Sequence, residues 1–197
     1  MRTLITVIAM LLSVAVWADG YQIGDKVADF SLKNVDGKMI SLKNLEGATE
    51  GAIVIFTCNH CPYVVAYEDR IIALDKKYKK KGYPVLTINP NDPKIQPEDS
   101  FDKMIVRSKE KGFTFPYTFD ENQTVYKRFG ATKTPHVYIV NKVGNDFILE
   151  YIGAIDDKPR APEKVSEKYV ENAVDALLAG NKPKVKETKA IGCSIKD

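Results

Sequence analysis

The sequence predicts an α/β protein with a mixed central sheet and helices on both faces. Three observations carry that expectation. Ile53-Val54-Ile55-Phe56 is an apolar, β-branched run of strand character, and after Pro62 the apolar spacing changes to Val64, Tyr67, Ile71, Leu74 and Tyr78, a helical period. Residues 84–89 then read as a second buried strand, which makes a βαβ unit with parallel strands. Two later strand-like runs joined by Gly144-Asn145 and followed by an amphipathic helix give a ββα second half.

Taken in order, residues 1–18 stand apart. Arg2 is followed by a run, 4–17, that is apolar except for Thr6 and Ser13, and Val16-Trp17-Ala18 places small residues where a signal peptidase reads. This has the shape of a secretory signal peptide cut after Ala18, and it is short for a membrane span. No stable membrane insertion is expected after cleavage, and the location expected is periplasmic or secreted. Residues 19–181 form one domain and 182–197 a polar tail.

Within the domain, Asp36-Gly37 between strand-like runs is a hairpin signal, expected to add a hairpin to the edge of the sheet. The helix after the central strand covers about 61–81, ending in a basic run capped by Gly82, where cations complement the dipole. An inserted helix is expected over 97–112, with Glu98 and Asp99 in its first turn. A short strand follows at 115–119. Asp120 can cap a small helix that stops at Gly130, and Thr134-Pro135 leads into the next strand. The last helix is expected over 161–179, closed by Gly180.

The bulk numbers narrow the function. A chain of 197 residues, 44% hydrophobic and 28% charged, suits one domain with a real core. Without Arg2 the net charge falls from +3 to +2, too balanced to argue for nucleic acid or an anionic membrane as partner. The cysteines are Cys58, Cys61 and Cys193. A structural disulfide framework uses more of them, more widely spaced, whereas a close pair in an oxidising compartment suggests a bond made and broken.

Cys58-Asn59-His60-Cys61 sits where the central strand ends and the helix begins. Unpaired N–H groups and the positive end of the helix dipole stabilise a thiolate there. Exchange needs one thiolate to attack and a second thiol to resolve the mixed disulfide. Cys58 is expected to attack and Cys61, further into the helix, to resolve, so the redox disulfide expected is Cys58–Cys61. Cys-x-x-Cys also begins zinc sites, and Cys193, His60 and His136 are the other Cys and His residues available. Cys193 itself reads as a free tail thiol, an intermolecular link or a third redox thiol docking near Cys58, with an accessory role favoured.

Cys-x-x-Cys between strand and helix, an x-Pro before a later strand, and ββα together resemble the thioredoxin fold. The N-terminal hairpin and inserted helix resemble its larger branch of peroxiredoxins and exported thiol–disulfide oxidoreductases. More narrowly, Cys58-Asn59-His60-Cys61-Pro62-Tyr63-Val64, Gly130-Ala131-Thr132-Lys133-Thr134-Pro135, Gly153-Ala154-Ile155-Asp156-Asp157 and Gly192-Cys193-Ser194-Ile195-Lys196 resemble a redoxin group of the alkyl-hydroperoxide-reductase/thiol-specific-antioxidant (AhpC/TSA) superfamily. The resemblance implies an exported oxidoreductase, without cofactor, acting on client proteins with thiols or disulfides and recycled by a redox partner. It implies that Thr134-Pro135 is the cis-proline loop facing the cysteines, with the Thr134 backbone pairing a substrate strand, and that His60 lowers the Cys58 pKa. His136 reads as packing.

The chain also departs from these patterns. Ala52 stands where thioredoxins keep a buried acid for proton relay, and Val64 where some exported relatives keep a glutamate, which leaves Glu68 or Glu50 as possible substitutes. The peroxidase pattern Pro-x-x-x-Thr-x-x-Cys is missing: Gly51 and Ile55 hold its places before Cys58. The alternatives are a thiol peroxidase and a Cu(I)-binding assembly protein that holds the metal by two thiolates and a histidine.

Overall fold

The computed structural model describes residues 20–197, so the expected signal peptide lies outside the described residues. Along the chain run β1 (Lys26–Val27), β2 (Leu32–Asn34), β3 (Met39–Ile40), β4 (Gly51–Phe56), α1 (Pro62–Tyr78), β5 (Val85–Asn89), α2 (Phe101–Lys111), β6 (Tyr117–Phe119), α3 (Val125–Phe129), β7 (Lys133–Thr134), β8 (His136–Val143), β9 (Asp146–Gly153), α4 (Tyr169–Leu178) and β10 (Cys193–Ser194). Eight strands make one sheet in the order β1-β9-β8-β4-β5-β6-β2-β3. β4, β5 and β6 are parallel, while β8 runs antiparallel to β4 and β9 to β8. This is the expected thioredoxin arrangement.

β4 organises two cores because its side chains alternate between faces. Ala52, Val54 and Phe56 pack with Tyr21, Phe30, Leu42 and Phe129, under α3 and the N-terminal segment. Ile53 and Ile55 pack with Tyr67, Ile71 and Leu74 of α1 and Val170 and Val174 of α4. The central strand is thereby fixed on both sides, and the loop that follows it leaves the sheet in a set direction.

The hairpin forms as β2 with β3, turning at Asp36-Gly37 where Gly37 has φ of 85°, and β2 also pairs with β6 to extend the sheet. Asp120 accepts the N–H groups of Thr124 and Tyr126, as an α3 cap should.

Three places differ from expectation. The last helix begins at Tyr169 rather than 161, because Asp157 accepts the N–H groups of Ser166 and Glu167 and holds the preceding segment as a loop. The inserted helix breaks at Ser100, which is extended with ψ of 155°. Pro97–Asp99 is therefore a separate 3-10 turn, and Asp99 points inward with no exposed surface. The polar tail, whose course is not legible in sequence, packs back on the domain. The N–H of Ile152 donates to Lys186 and that of Thr188 to Ile152, and β10 then pairs antiparallel with β7. Among the described residues, no helix is long and apolar enough to cross a membrane.

Candidate functional site

The site lies where β4 ends. Thr57 still bonds to the Ile88 carbonyl of β5, and Cys58 is the first residue beyond the ladder. Cys61 is the N-cap of α1 with Pro62 in the first turn, so the intervening Asn59 and His60 must turn sharply. Across from them Thr134-Pro135 has a cis peptide bond and comes between β7 and β8. The Cys58 sulfur lies 3.3 Å from the Thr134 hydroxyl, and the Cys61 sulfur 3.3 Å from the Thr134 carbonyl. The fold thus brings Cys58, His60, Cys61, Thr134 and Pro135 together.

The disulfide present is not the expected Cys58–Cys61 bond. Cys61 is bonded to Cys193, 132 residues away with Cα atoms 6.0 Å apart, and Cys58 is a free, buried thiol. The physical reason is the tail. β10 places Cys193 directly opposite Thr134, and therefore over Cys61. Cys58 is 2% exposed and Cys61 not at all, whereas Cys193 is partly exposed.

Burial pushes the Cys58 thiol up to about 12, and the Asp99 charge adds to it. The Thr134 hydroxyl and the N–H groups of Cys61 and His60 act the other way. His60 was expected to lower the Cys58 pKa through its ring. Here its backbone N–H does so, while the imidazole Nδ1 pairs with Asp99 at 2.6 Å. His136 is pushed down to about 4 by burial and lies against Tyr138 with ring centroids 4.8 Å apart, a packing role as expected.

Asp99 is the residue sequence reasoning missed. Its Oδ1 accepts the N–H of Asn59 at 2.7 Å and of His60 at 3.2 Å, and its Oδ2 accepts Asn91 Nδ2 at 2.6 Å besides facing His60. The acids considered from sequence are elsewhere. Glu68 is gripped by Arg107 at 2.7 and 2.8 Å and by Lys111, and Glu50 precedes β4 at its far end from Cys58. Glu98-Asp99 looked like ordinary acids of a helix's first turn. The one signal available was Pro97 so close to Ser100, an N-cap residue that can end one turn and start another.

The sulfur of Cys58, a ring nitrogen of His60 and a carboxylate oxygen of Asp99 lie within 4.8 Å of one another. That set could hold a metal ion, but the Asp99 oxygens already carry four contacts. The same arrangement suits proton transfer, since a carboxylate that fixes one ring nitrogen leaves the other free to work on a neighbouring thiol.

A family model described as the AhpC/TSA family matches residues 23–145. The thiol-disulfide oxidoreductase ResA of Halalkalibacterium halodurans is 25% identical over 121 residues, which is 61% of this chain and 64% of that protein. The chain therefore spans somewhat under two thirds of the length of that curated relative. Among solved structures, an uncharacterized conserved protein from Geobacillus kaustophilus is 35% identical with a TM-score of 0.81, covering 89% of this chain and 92% of that one. A hypothetical protein from Sinorhizobium meliloti 1021 is 30% identical with a TM-score of 0.81, covering 90% and 95%. With more than half of its length matched by the family model, the chain belongs to the AhpC/TSA family.

Proposed function

We propose that this protein is an exported thiol–disulfide oxidoreductase that exchanges electrons with the thiols or disulfides of client proteins through Cys58 and Cys61. One observation carries the reading: an extended strand pairs antiparallel at Thr134 and brings a cysteine into the cluster of Cys58 and Cys61, where it is bonded to Cys61. That is the geometry a client strand bearing a disulfide requires, made here within one chain. The ResA relative's name supports the same chemistry.

In the reductive direction the Cys58 thiolate attacks a client sulfur and breaks the client disulfide, forming a mixed disulfide. Cys61 then attacks the Cys58 sulfur and releases the second client thiol, leaving Cys58–Cys61. In this reading His60, held through Nδ1 by Asp99, takes the Cys58 proton. Thr134 and Pro135 hold the client strand. Export rests on the signal-peptide pattern of residues 1–18.

Exchange is favoured over peroxide reduction by what precedes Cys58. The peroxidase pattern Pro-x-x-x-Thr-x-x-Cys is missing, with Gly51 and Ile55 at its proline and threonine places. The copper reading needs two thiolates, and in the docked state the Cys61 sulfur is bonded to Cys193, which leaves one cysteine beside His60.

The test uses dithiothreitol-reduced, desalted protein and a fluorogenic peptide containing one disulfide. The wild type should reduce the peptide roughly a hundredfold faster than glutathione at equal thiol concentration, as expected of a tuned thiolate. Cys58→Ser should abolish that rate, and Cys61→Ser should trap the peptide as a mixed disulfide on Cys58. Equal rates in all three proteins, with nothing trapped, would remove the assignment.

A further inference from the structure

The tail is built to dock, and its fit is closer than a loose terminus needs. A Cβ on Gly192 would overlap the Thr134 carbonyl, so only glycine lets the strand come this near. Ile195 is buried in the core cluster that includes Phe129, beyond Cys193. The Lys196 carbonyl accepts the Asp92 N–H and Gln123 Nε2, each at 2.8 Å, and Tyr126 donates to Asp197 at 2.7 Å. Before Cys193, the Thr188 hydroxyl accepts the Ala154 N–H at 2.9 Å and contacts Tyr151 at 2.6 Å. Two anchors thus flank a strand whose Cys193 packs against Cys58 and Cys61, and the least buried of the three cysteines is Cys193.

We propose that Cys193 is a third redox cysteine, carried on a releasable strap, through which electrons from an external dithiol reach the buried Cys58 and Cys61. The proposal rests on the exchange reading above and adds where the donor attacks and how the client edge is opened.

The cycle balances in three stages. A donor thiolate attacks the Cys193 sulfur, breaks the Cys61–Cys193 bond and expels Cys61 as thiolate, a leaving group stabilised at the N-terminus of α1. The donor's second thiol displaces Cys193, so the donor leaves oxidised by two electrons, and Cys61 and Cys193 are both thiols. With the covalent tether gone, β10 can lift from β7 and vacate the Thr134 edge for a client. Cys58 and Cys61 reduce the client disulfide and end as Cys58–Cys61. The Cys193 thiolate then attacks the Cys61 sulfur, releases Cys58 as a thiol and restores the docked bond. The docked state keeps Cys58 protonated by burial, which prevents it from attacking back.

The experiment follows disulfide connectivity. Fully reduced protein is mixed with the disulfide peptide, quenched at intervals with N-ethylmaleimide, and mapped by mass spectrometry of peptides. Expected is Cys58–Cys61 first, converting to Cys61–Cys193 with Cys58 alkylated last. Cys193→Ser should stop at Cys58–Cys61, and its re-reduction by a bulky dithiol should slow about tenfold or more, because the remaining bond is buried. Gly192→Ala, which keeps every cysteine, should slow the conversion and leave more Cys58–Cys61. In a parallel sample started from the oxidised protein with a dithiol donor, Cys61–Cys193 that stays intact while the peptide is turned over would make it a structural bond and overturn the proposal. So would a reaction that ends at Cys58–Cys61 in the wild type. In either case peptide reduction persists. Loss of peptide reduction in the wild type marks failure of the exchange reading instead.

Discussion

The Asp99 carboxylate accepts two consecutive backbone N–H groups of the Cys58-Asn59-His60-Cys61 turn and pairs with the His60 ring. It therefore shapes the loop and sets the charge beside Cys58 with one side chain. Its charge is the second cause, after burial, of the raised Cys58 pKa. Asp99→Asn keeps an oxygen for the backbone donors but turns an amide toward Asn91 Nδ2, leaving a buried donor without an acceptor. Such a group costs about 1–3 kcal/mol, so chemical denaturation should show a loss of that order. In the oxidised protein the alkaline midpoint for Cys58 alkylation should fall below the wild-type value near 12, because a like charge has gone. A midpoint that stays put would mean that burial alone controls the thiol. The two cysteines and Thr134-Pro135 were legible in the sequence because each is marked by residue type. Asp99 was not, since its inward turn depends on Ser100 breaking a helix that the pattern alone would have continued.

At the scale of elements, β4, α1 and β5 could be read because their periods differ and each is long enough for the difference to show. The tail could not, because β10 is two residues long and is held by its surroundings rather than by its own pattern. Thr188 is the clearest case, a polar residue between Glu187 and Lys189 whose hydroxyl sits against Tyr151 and Gly153. In Thr188→Val the shape is kept while the Ala154 N–H loses its acceptor. Hydrogen exchange on the reduced protein should then show the Thr188 and Ile195 amides opening roughly tenfold faster, with β4 amides unchanged, as a local opening requires. Unchanged protection at Ile195 would show that the two anchors hold independently.

For the whole molecule, two buried titratable groups next to the site make stability depend on pH, and they act at opposite ends. Cys58 is raised from 9.0 to about 12, so its contribution is complete below pH 9 and is lost as pH climbs toward 12, where the folded thiol must ionise in a dry site. His136 is lowered from 6.5 to about 4 by burial. Its contribution is complete above pH 6.5 and is lost as pH falls toward 4, because the unfolded chain binds the proton that the fold excludes. A shift of that size corresponds to roughly 3 kcal/mol, a large part of an ordinary domain's stability. His136 also lies beside the strap: its Nδ1 faces the Thr132 N–H at 3.4 Å, and the Thr132 carbonyl faces Ile195. Acid should therefore loosen the docked tail along with the core. Denaturant midpoints measured from pH 4 to 7 should rise steeply in the wild type and much less in His136→Phe, which has no proton to take up. Parallel curves for the two proteins would place the acid sensitivity elsewhere, in the buried carboxylates of Asp99, Glu68 and Asp156.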